Sequence, residues 1–346
     1  MSLRFDRRTF LRLLGASGAG LFLGLGAKQA TDPEGMASLR VRLGWLLRGQ
    51  WLQHTGRPSR VALAECASYD SGLLDCLREL WSQAAMPEVR GRRVLVKPNL
   101  IDAIEGYPIT TAPAVLGAVV DLLRELGAAE VVVGDGPGFR RDARPVVSEC
   151  GLAQVLGARN VPFVDLNYDE PRPVPAPAGW FGPTRELWLP RHLREADLIV
   201  SLPKLKTHHW AGVSLSLKNL YGLLPGARYG WPKNVLHVNG VTSSILGMYQ
   251  AARSLAPVVS VVDGITGMEG DGPLFGSPMA HGLLAAGSEP VAVDAVCAGL
   301  MGFSLHEVDH LEVAAAAGVG QATRIEVVGA SIDRLRRNYK RPPRAE

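Results

Sequence analysis

Residues 94–136 contain the clearest structural pattern in the chain, VLVKPNLIDAIEGYPITTAPAVLGAVVDLLRELGAAEVVVGDG. The runs Val94–Val96 and Val131–Val133 are short and rich in β-branched residues, which is typical of buried strands. Between them, Pro113–Leu126 has the apolar spacing of a helix, with Pro at its start and Gly127 just past its end. The pattern therefore predicts a strand, a helix and a second strand, the unit from which parallel sheets are built.

The same alternation of apolar runs and helical patterns continues over most of the remaining chain. Further predicted strands are Val61–Ala64, Leu198–Val200, Val258–Val262, Leu283–Ala286 and Ile325–Val328, and further predicted helices are Gly72–Gln83, Arg144–Leu156, Val241–Leu255 and Pro290–Met301. Strands that are apolar throughout indicate a sheet that is covered on both faces. We predict an α/β fold, with a mostly parallel sheet covered by helices, in one or two lobes. A Pro-rich stretch at residues 170–184 is the candidate lobe boundary.

The composition is that of a folded chain with balanced charge outside its first residues. Its 346 residues are 47% apolar and 20% charged, which suffices for a large core and rules out wholesale disorder. Of 37 basic and 33 acidic side chains, five basic and one acidic lie in residues 1–30, which leaves 32 of each. Because no global positive field remains, we do not expect nucleic-acid binding.

The first 30 residues are interpreted as an export signal. Arg7 and Arg8 are followed by Thr9-Phe10-Leu11-Arg12 and then by fifteen uncharged residues, Leu13–Ala27. This order is similar to the twin-arginine motif, in which paired arginines precede Phe-Leu and a basic residue. The apolar run is short for a membrane span, which needs about 20 residues. We predict export by the twin-arginine machinery to the periplasm or the outer face of the membrane, with the signal either cleaved or retained as an anchor. No other membrane contact is expected.

Two segments flank the predicted α/β domain, which spans residues 61–330. In the segment 31–60, residues 36–52 have the spacing of an amphipathic helix, which either packs on the domain or lies on a membrane surface. Packing is the more common outcome. The segment 331–346 is a basic tail, and we expect it to be solvated and frayed.

The four cysteines, Cys66, Cys76, Cys150 and Cys297, lie far apart and form no CxxC pair. This spacing excludes an iron–sulfur cluster motif and a zinc ribbon in this chain. Each cysteine has apolar neighbours, so each is interpreted as a small buried side chain.

Polar side chains are concentrated where four of the predicted strands end. In chain order they include Lys97, Asn99, Asp135, Lys204, Lys206, His208, Asp263 and Glu269. Ligands of parallel sheets bind outside the carboxyl ends of the strands, so these residues are candidates for a functional site. Lys218 joins them because a lysine with apolar residues on both sides is rarely idle.

Taken singly, most of these features have an ordinary structural explanation. The turn Gly134–Gly138 matches neither a dinucleotide fingerprint nor a P-loop. His208 and His209 are adjacent and are not an i,i+4 pair on a helix, so they do not by themselves predict zinc. Taken together, however, four lysines beside acids and a histidine form the convergent polar set that is typical of an anion site.

Two stretches resemble the signature of the uncharacterised family called domain of unknown function 362. They are Leu202–His208 (LPKLKTH) and Leu217–Gly222 (LKNLYG), with supporting similarities at Val96–Asn99, Gly134–Gly136, Val262–Pro273 and Pro290–Ala295. The resemblance implies a protein whose activity is not established. Some relatives are exported with a twin-arginine signal, and others carry a ferredoxin-like iron–sulfur module. This chain has the signal and lacks the cluster motif, which speaks against electron transfer.

The leading hypothesis is an exported enzyme that acts on a small anionic ligand, a carboxylate or a phosphate. The expected ligand-binding residues are Lys97, Asn99, Lys204, Lys206, Lys218 and Asn219. The lysines would hold the anion because point charges on flexible stems suit it. His208 is the candidate general acid or base, because its pKa is nearest neutrality, and Asp135 and Asp263 are its candidate catalytic partners.

A hard divalent metal ion such as Mg²⁺ is the candidate cofactor, held through oxygen by Glu269 and Asp294. Two other classes of function stay open. One is a non-catalytic protein of the cell envelope that carries a metal or cofactor for the maturation of a partner. The other is a structural envelope protein, which explains the export signal but not the lysines in apolar surroundings.

Overall fold

The computed structural model describes residues 58–343, apart from residues 71, 139–141, 232 and 234–239. The predicted export signal at 1–30 and the predicted amphipathic helix at 36–52 lie outside the described residues.

A ten-stranded mixed sheet forms the centre of the molecule. The strands are β1 (Ser59–Glu65), β2 (Arg93–Pro98), β3 (Glu130–Asp135), β4 (Phe163–Asp165), β5 (Pro171–Pro175), β6 (Glu186–Pro190), β7 (Leu198–Leu202), β8 (Lys204–His208), β9 (Gly212–Ser214), β10 (Val258–Glu269), β11 (Ser277–Gly287) and β12 (Ile325–Gly329). The order in the sheet is β12-β1-β11-β10-β7-β2-β3-β4, with β8 paired to β10 and β9 paired to β8. β5 and β6 form a separate two-stranded sheet. From β10 to β4 the neighbours are parallel, whereas β11 is antiparallel to both of its neighbours.

Helices cover both faces of this sheet. Within the described residues they are α1 (Leu73–Gln83), α2 (Pro113–Glu125), α3 (Ala143–Glu149), α4 (Leu152–Gly157), α5 (Arg191–Glu195), α6 (Ser216–Asn219), α7 (Gly226–Tyr229), α8 (Val241–Leu255), α9 (Pro290–Leu300), α10 (Asp309–Ala316) and α11 (Ile332–Leu335). Strand β2 shows the arrangement: Val94 and Val96 pack with α1 and α2, and Leu95 packs in the cluster that contains α8, α9 and α10. This alternation follows from the period of two in a strand. The predicted α/β class and the mostly parallel sheet are confirmed.

The helix predicted at Arg144–Leu156 is instead two helices. α3 ends at Glu149, and α4 begins after Gly151, whose backbone has a φ of 80°. This left-handed conformation suits glycine, which has no Cβ, and it cannot continue a right-handed helix. The apolar spacing on either side kept the helical period and concealed the break.

One predicted strand is too short, and one strand was not predicted. The predicted strand Val258–Val262 continues as β10 to Glu269, with a register irregularity between Gly264 and Thr266. β10 pairs first with β7 and then with β8, and Asp263 lies beside Lys204. The lysine-rich stretch Lys204–His208, which follows β7, is itself the strand β8.

Part of the Pro-rich stretch at residues 170–184 forms a paired strand. Pro171, Pro173 and Pro175 lie in β5, which pairs antiparallel with β6. Alternate residues of a strand direct their N–H groups to the same side, so prolines at every second position remove only groups that point away from the partner. Trp180 and Phe181, in the connecting loop, are buried in the same apolar cluster as α8. The candidate lobe boundary therefore packs on the main core.

The basic tail was predicted to be frayed, and this prediction was wrong for the residues up to 343. Leu335 and Tyr339 are buried. The N–H of Arg337 donates to the carbonyl of Leu300 at 2.8 Å, and the N–H of Tyr339 donates to that of Met301 at 3.0 Å. The two apolar residues among the arginines were the signal for this docking. Within the described residues, no helix is long and apolar enough to cross a bilayer.

Candidate functional site

A cavity of about 140 Å³ lies at the carboxyl ends of β2, β3 and β8. Six of the predicted site residues line it, namely Lys97, Asn99, Asp135, His208, Lys218 and Asn219. The other polar side chains in its wall are His209, Ser214, Tyr221 and Lys233. Apolar surface comes from Leu100, Ile101 and Trp210. The cavity is therefore where ligands of parallel sheets are expected to bind.

Lys97 and Asp135 form a buried ion pair at the floor of the cavity. The Nζ of Lys97 lies 2.7 Å from Oδ1 of Asp135 and donates to the carbonyl of Pro98 at 2.8 Å and to Oδ1 of Asn219 at 3.0 Å. Oδ2 of Asp135 accepts the N–H of Leu100 at 2.8 Å. Burial lowers the pKa of Lys97, and Asp135 opposes this effect. An ammonium has three donors, and Lys97 directs them at Asp135, Pro98 and Asn219. Lys97 and Asp135 therefore hold one another and shape the cavity.

Gly222 is needed for this pair to form. A Cβ at position 222 would lie 2.2 Å from Oδ1 of Asp135 and 2.6 Å from Cε of Lys97. No heavy-atom contact is tolerated at such distances, so the glycine allows the backbone to pass over the ion pair.

Asn219 and Asp294 position the turn that carries Lys218. The Nδ2 of Asn219 donates to the carbonyl of Lys97 and to Oγ of Ser201. The two carboxylate oxygens of Asp294, on α9, each accept a backbone N–H at 2.8 Å, from Ser216 and Leu217. Burial raises the pKa of Asp294 to about 7, although these hydrogen bonds oppose the shift. Both residues therefore orient α6 and are not free to bind a ligand.

Lys218 and Lys233 add positive charge to a wall in which Asp135 is the one carboxylate among the described residues. Asp135 is already paired with Lys97, although its charge also acts on Lys233. Lys218 lies partly exposed in the cavity, with its Nζ 5.0 Å from the centre of the Tyr221 ring. Burial and the nearby charge of Lys97 lower the pKa of Lys218 to about 8. The Nζ of Lys233 donates to the carbonyl of Gly136 at 2.5 Å, and burial lowers its pKa to about 7. Such amines favour a bound anion, which would stabilise their protonated forms.

His208 faces the cavity as a neutral hydrogen-bond donor. Its Nδ1 lies 3.1 Å from the N–H of Trp210 and 3.3 Å from the N–H of Ala211, so Nδ1 accepts and the ring carries its hydrogen on Nε2. Burial, followed by the charge of Lys218, lowers the pKa of His208 well below its ordinary value. His208 is therefore suited to donate to an oxygen on which negative charge develops, and it is poorly suited to the predicted role of base.

His209 has the opposite arrangement. Its Nδ1 lies 3.0 Å from the carbonyl oxygen of Gly272 and must donate to it, which leaves the lone pair of the neutral ring on Nε2. The two imidazole rings lie 4.8 Å apart, centre to centre, and are tilted by 32°. A donor and an acceptor of protons thus stand side by side in the wall of the cavity.

Asn99 presents a buried amide that has a free acceptor. Its backbone is fixed by Thr111, which accepts the N–H of Asn99 at 2.8 Å and donates to the carbonyl of Leu202 at 2.6 Å. Its Oδ1 is buried and has no hydrogen-bond partner in the part of the chain that the structure describes. Because buried polar atoms are normally paired, this oxygen is a position for a donor group of a ligand or of water.

Lys204 and Asp263 form a second buried ion pair, which does not line the cavity. Their Nζ and Oδ2 lie 2.8 Å apart, and Tyr69 donates to Oδ1 of Asp263 and accepts from Lys204. Asp263 also accepts the N–H of Ala112. Burial lowers the pKa of Lys204, but Asp263 and Tyr69 outweigh it, so the net shift is upward. These two predicted site residues are structural in this arrangement.

Lys206 is also buried and also lies outside the cavity wall. Its Nζ donates to the carbonyl of Ile109 at 2.7 Å. Burial, with the charges of Lys204 and Lys218, lowers the pKa of Lys206 well below its ordinary value. It is not placed to contact an anion in the cavity.

The residues predicted to hold a metal have other partners. Glu269 accepts the backbone N–H of Lys340 at 2.8 Å, and Asp294 accepts the two N–H groups of α6. Among the described residues, no group of three or more His, Cys, Asp or Glu side chains is arranged to hold a metal ion. The structure does not bring Glu269 and Asp294 to the cavity.

Sequence reasoning missed Lys233 and gave His209 no acid–base role. Lys233 follows Gly230-Trp231-Pro232, and the sequence there carries no strand whose end could mark a site. It reaches the cavity through the carbonyl of Gly136, nearly a hundred residues away in the chain. The position of His209 beside His208 was the available signal, but only the contact with Gly272 distinguishes the two rings.

The fold and the cavity define an α/β protein with a cation-rich ligand site at the carboxyl ends of its parallel strands. The chain matches the family model described as "Domain of unknown function (DUF362)" over residues 94–299. A thylakoid-associated protein of Synechocystis sp. is 32% identical over 256 residues, which cover 70% of this chain and 74% of the relative. The chain belongs to the DUF362 family.

Two solved structures align with part of the chain. The lactate racemase apoprotein of Thermoanaerobacterium thermosaccharolyticum superposes with a TM-score of 0.42 and 16% identity, over 71% of this chain and 57% of that chain. A protein from Thermotoga maritima gives 0.43 and 15%, over 68% of this chain and 59% of that chain. The chain thus spans less than two thirds of either solved chain.

Proposed function

We propose that this protein is an enzyme that binds a small carboxylate or phosphate in the cavity and transfers a proton on it. The observation that carries the proposal is the surplus of positive charge. Among the described residues, the cavity wall has three lysines, Lys97, Lys218 and Lys233, and one carboxylate, Asp135, which is paired with Lys97. An anion that entered would supply the missing negative charge in a site where charges are weakly screened.

The two histidines supply the proton transfer. Nε2 of His209 accepts a proton from the bound molecule, and Nε2–H of His208 donates a hydrogen bond to the oxygen that becomes negative. Both groups are fixed by the backbone before any ligand binds, which is the arrangement that favours catalysis by stabilising developing charge. Asn99 provides an acceptor for a hydroxyl or amine of the same molecule.

The test combines binding with turnover. Titration calorimetry with phosphate and acetate should detect binding that weakens in Lys218→Met and is unchanged in Lys340→Met, which alters an exposed lysine outside the cavity. Proton NMR in D₂O, with a panel of small carboxylates and phosphates, should detect exchange of a carbon-bound hydrogen, and His209→Gln should abolish it. Absence of anion binding would overturn the proposal. Stoichiometric binding without exchange or turnover would favour the non-catalytic carrier of a cofactor or metal.

We also propose that the protein is exported by the twin-arginine route to the periplasm or the outer face of the membrane. The paired arginines Arg7 and Arg8 support this, together with the similarity to a relative whose name associates it with thylakoids. Because the receptor reads paired guanidinium groups, replacing both arginines by lysine should leave the protein in the cytoplasm. Unchanged delivery to the envelope in a fractionation experiment would contradict the proposal.

A further inference from the structure

Lys218 differs from the other lysines of this region in the surroundings of its amine. Lys97, Lys204, Lys206 and Lys233 each donate to a carboxylate or a carbonyl. Among the described residues, the Nζ of Lys218 has no hydrogen-bond or ion-pair partner. It lies over the face of the Tyr221 ring, in the cavity wall. It is held there by the turn that Asp294 and Asn219 fix. An amine that is held in a cavity without a partner is placed to react.

We propose that Lys218 is a nucleophile that forms an imine with the carbonyl group of a small anionic substrate. The substrate is a 2-oxo acid or a phosphate ester of a ketone or aldehyde. This inference rests on the proposed function, because the substrate occupies the same cavity. It assigns Lys218 to the carbonyl carbon and leaves the anionic group to Lys233.

The reaction balances without an oxidant, a reductant or a metal. The lone pair of Nζ attacks the carbonyl carbon, and the electrons of the C=O π bond move to the oxygen. His208 donates its Nε2–H hydrogen bond to that oxygen, and His209 accepts a proton from the amine. His209 passes this proton to the oxygen, which gives a carbinolamine. The second hydrogen of the amine reaches the oxygen by the same route as the C–O bond breaks, so that water leaves and a C=N bond remains. When protonated, this imine withdraws electrons and acidifies the C–H on the neighbouring carbon, which is the proton transfer proposed above.

Two further observations agree with this role. A cavity of about 140 Å³ is close to the 150 Å³ that holds benzene, so the part of the substrate inside it has about six non-hydrogen atoms, the size of pyruvate. The lowered pKa of Lys218, about 8, leaves a useful fraction of neutral amine near neutral pH. The titratable and charged groups around this amine are Lys97, Lys206, His208, Lys233, His310 and Tyr221. The positive charge of Lys97 favours the neutral amine, whereas the face of the Tyr221 ring favours the ammonium form.

Trapping of the imine tests the inference. The purified full-length protein is incubated with pyruvate, or with dihydroxyacetone phosphate, and sodium cyanoborohydride, and the reduced adduct is located by peptide mass mapping. We expect one adduct per chain, at Lys218, in higher yield than with acetone, which has the carbonyl but not the anion. At saturating substrate, the yield should rise with pH through about 8, as the amine of Lys218 loses its proton. Lys218→Arg, which keeps the charge, should give no adduct in the cavity.

Calorimetry with phosphate on the same preparations separates the two proposals. Phosphate binding by wild type without any adduct at Lys218, from either carbonyl probe, would overturn the imine and leave the proposed function standing. Labelling of exposed lysines as strong as that of Lys218 would also overturn it. If phosphate and acetate do not bind at all, the proposed function fails, and the imine fails with it. Retained phosphate binding by Lys218→Arg shows that a lost adduct does not reflect unfolding.

Discussion

The two buried lysine–aspartate pairs have nearly the same geometry and different surroundings. Lys97 and Asp135 are separated by 2.7 Å, and Lys204 and Asp263 by 2.8 Å. Hydrogen bonds complete both pairs: a tyrosine hydroxyl and the N–H of Ala112 contact the second pair, and the N–H groups of Leu100 and Gly136 donate to Asp135 of the first. Around the first stand further lysines and a cavity. A buried lysine is therefore not by itself a sign of function, whereas cations in excess of carboxylates at a cavity are.

The contrast also appears in the protonation of the lysines. The partners of Lys204 raise its pKa, while burial lowers the pKa of Lys97 and brings those of Lys218 and Lys233 to about 8 and 7. The surroundings of Lys204 thus stabilise its protonated form, whereas the surroundings of the cavity lysines disfavour theirs. We expect substitutions of Lys204 or Asp263 to change stability and substitutions of the cavity lysines Lys218 and Lys233 to change binding.

The largest effect is expected from Asp263→Ala. It leaves Lys204 as a buried cation without a counter-ion, and removal of one partner of such a pair costs about 3–5 kcal/mol. Denaturant titration should therefore show a large loss in the free energy of unfolding. Tyr69→Phe, which removes only hydrogen bonds to the pair, should cost about 1 kcal/mol. A loss below 1 kcal/mol for Asp263→Ala would contradict the structural role of this pair.

The next effect compares Lys218→Met with Lys204→Met. Lys218→Met should lower the affinity for phosphate at least tenfold, about 1.4 kcal/mol, because it removes an unpaired cation from the cavity wall. Its free energy of unfolding should not fall. Lys204→Met should destabilise the fold, because Asp263 loses its cation, and the folded fraction should keep its affinity. Calorimetry and denaturation of both variants measure the two quantities, and a reversed pattern would refute the distinction between the clusters.

A pH series sharpens the comparison further. The amines of Lys218 and Lys233 hold protons less tightly in the folded chain, with pKa values of about 8 and 7, than at their ordinary value of 10.5. Between these values the unfolded chain binds more protons, so stability should rise as the pH increases from about 7 towards 10.5. Affinity for phosphate should fall over the same interval, because the ammonium forms are lost. In Lys218→Met both slopes should flatten above pH 8. Equal slopes in the two proteins would contradict the assignment.

The smallest effect is expected for Lys206→Met. Lys206 lies outside the cavity wall and donates only to the carbonyl of Ile109, so the affinity for phosphate should change less than twofold. The loss of that hydrogen bond, about 1 kcal/mol, is offset by removal of a buried cation. A tenfold loss of affinity in calorimetry, with the fold intact, would restore the sequence-based role of Lys206 as an anion ligand.

The sequence predicts most of the sheet because its strands are apolar on both sides. Val94–Val96 and Val131–Val133 need no tertiary information to be recognised. β8 was missed although Lys204 and Lys206 alternate with apolar residues, as in a half-buried strand. The polar face of such a strand normally lies in water, whereas here both lysines are buried. Their burial depends on Asp263 and Ile109, which the sequence cannot bring near. For the same reason, Lys97 and Asn219 were predicted to bind ligand, although they bind each other across 122 residues.

The position of β1 in the sheet constrains when the molecule can be completed. β1 is the first described strand, and it lies between β11 and β12, which the ribosome makes more than two hundred residues later. Leu335 and Tyr339 then pack on the core after β12. The chain therefore exposes an unpaired, apolar strand until β12 has been made, a topology of high contact order that folds slowly. If the predicted twin-arginine signal exports a folded protein, export has to wait for β12, so its timing depends on a strand far along the chain from the predicted signal.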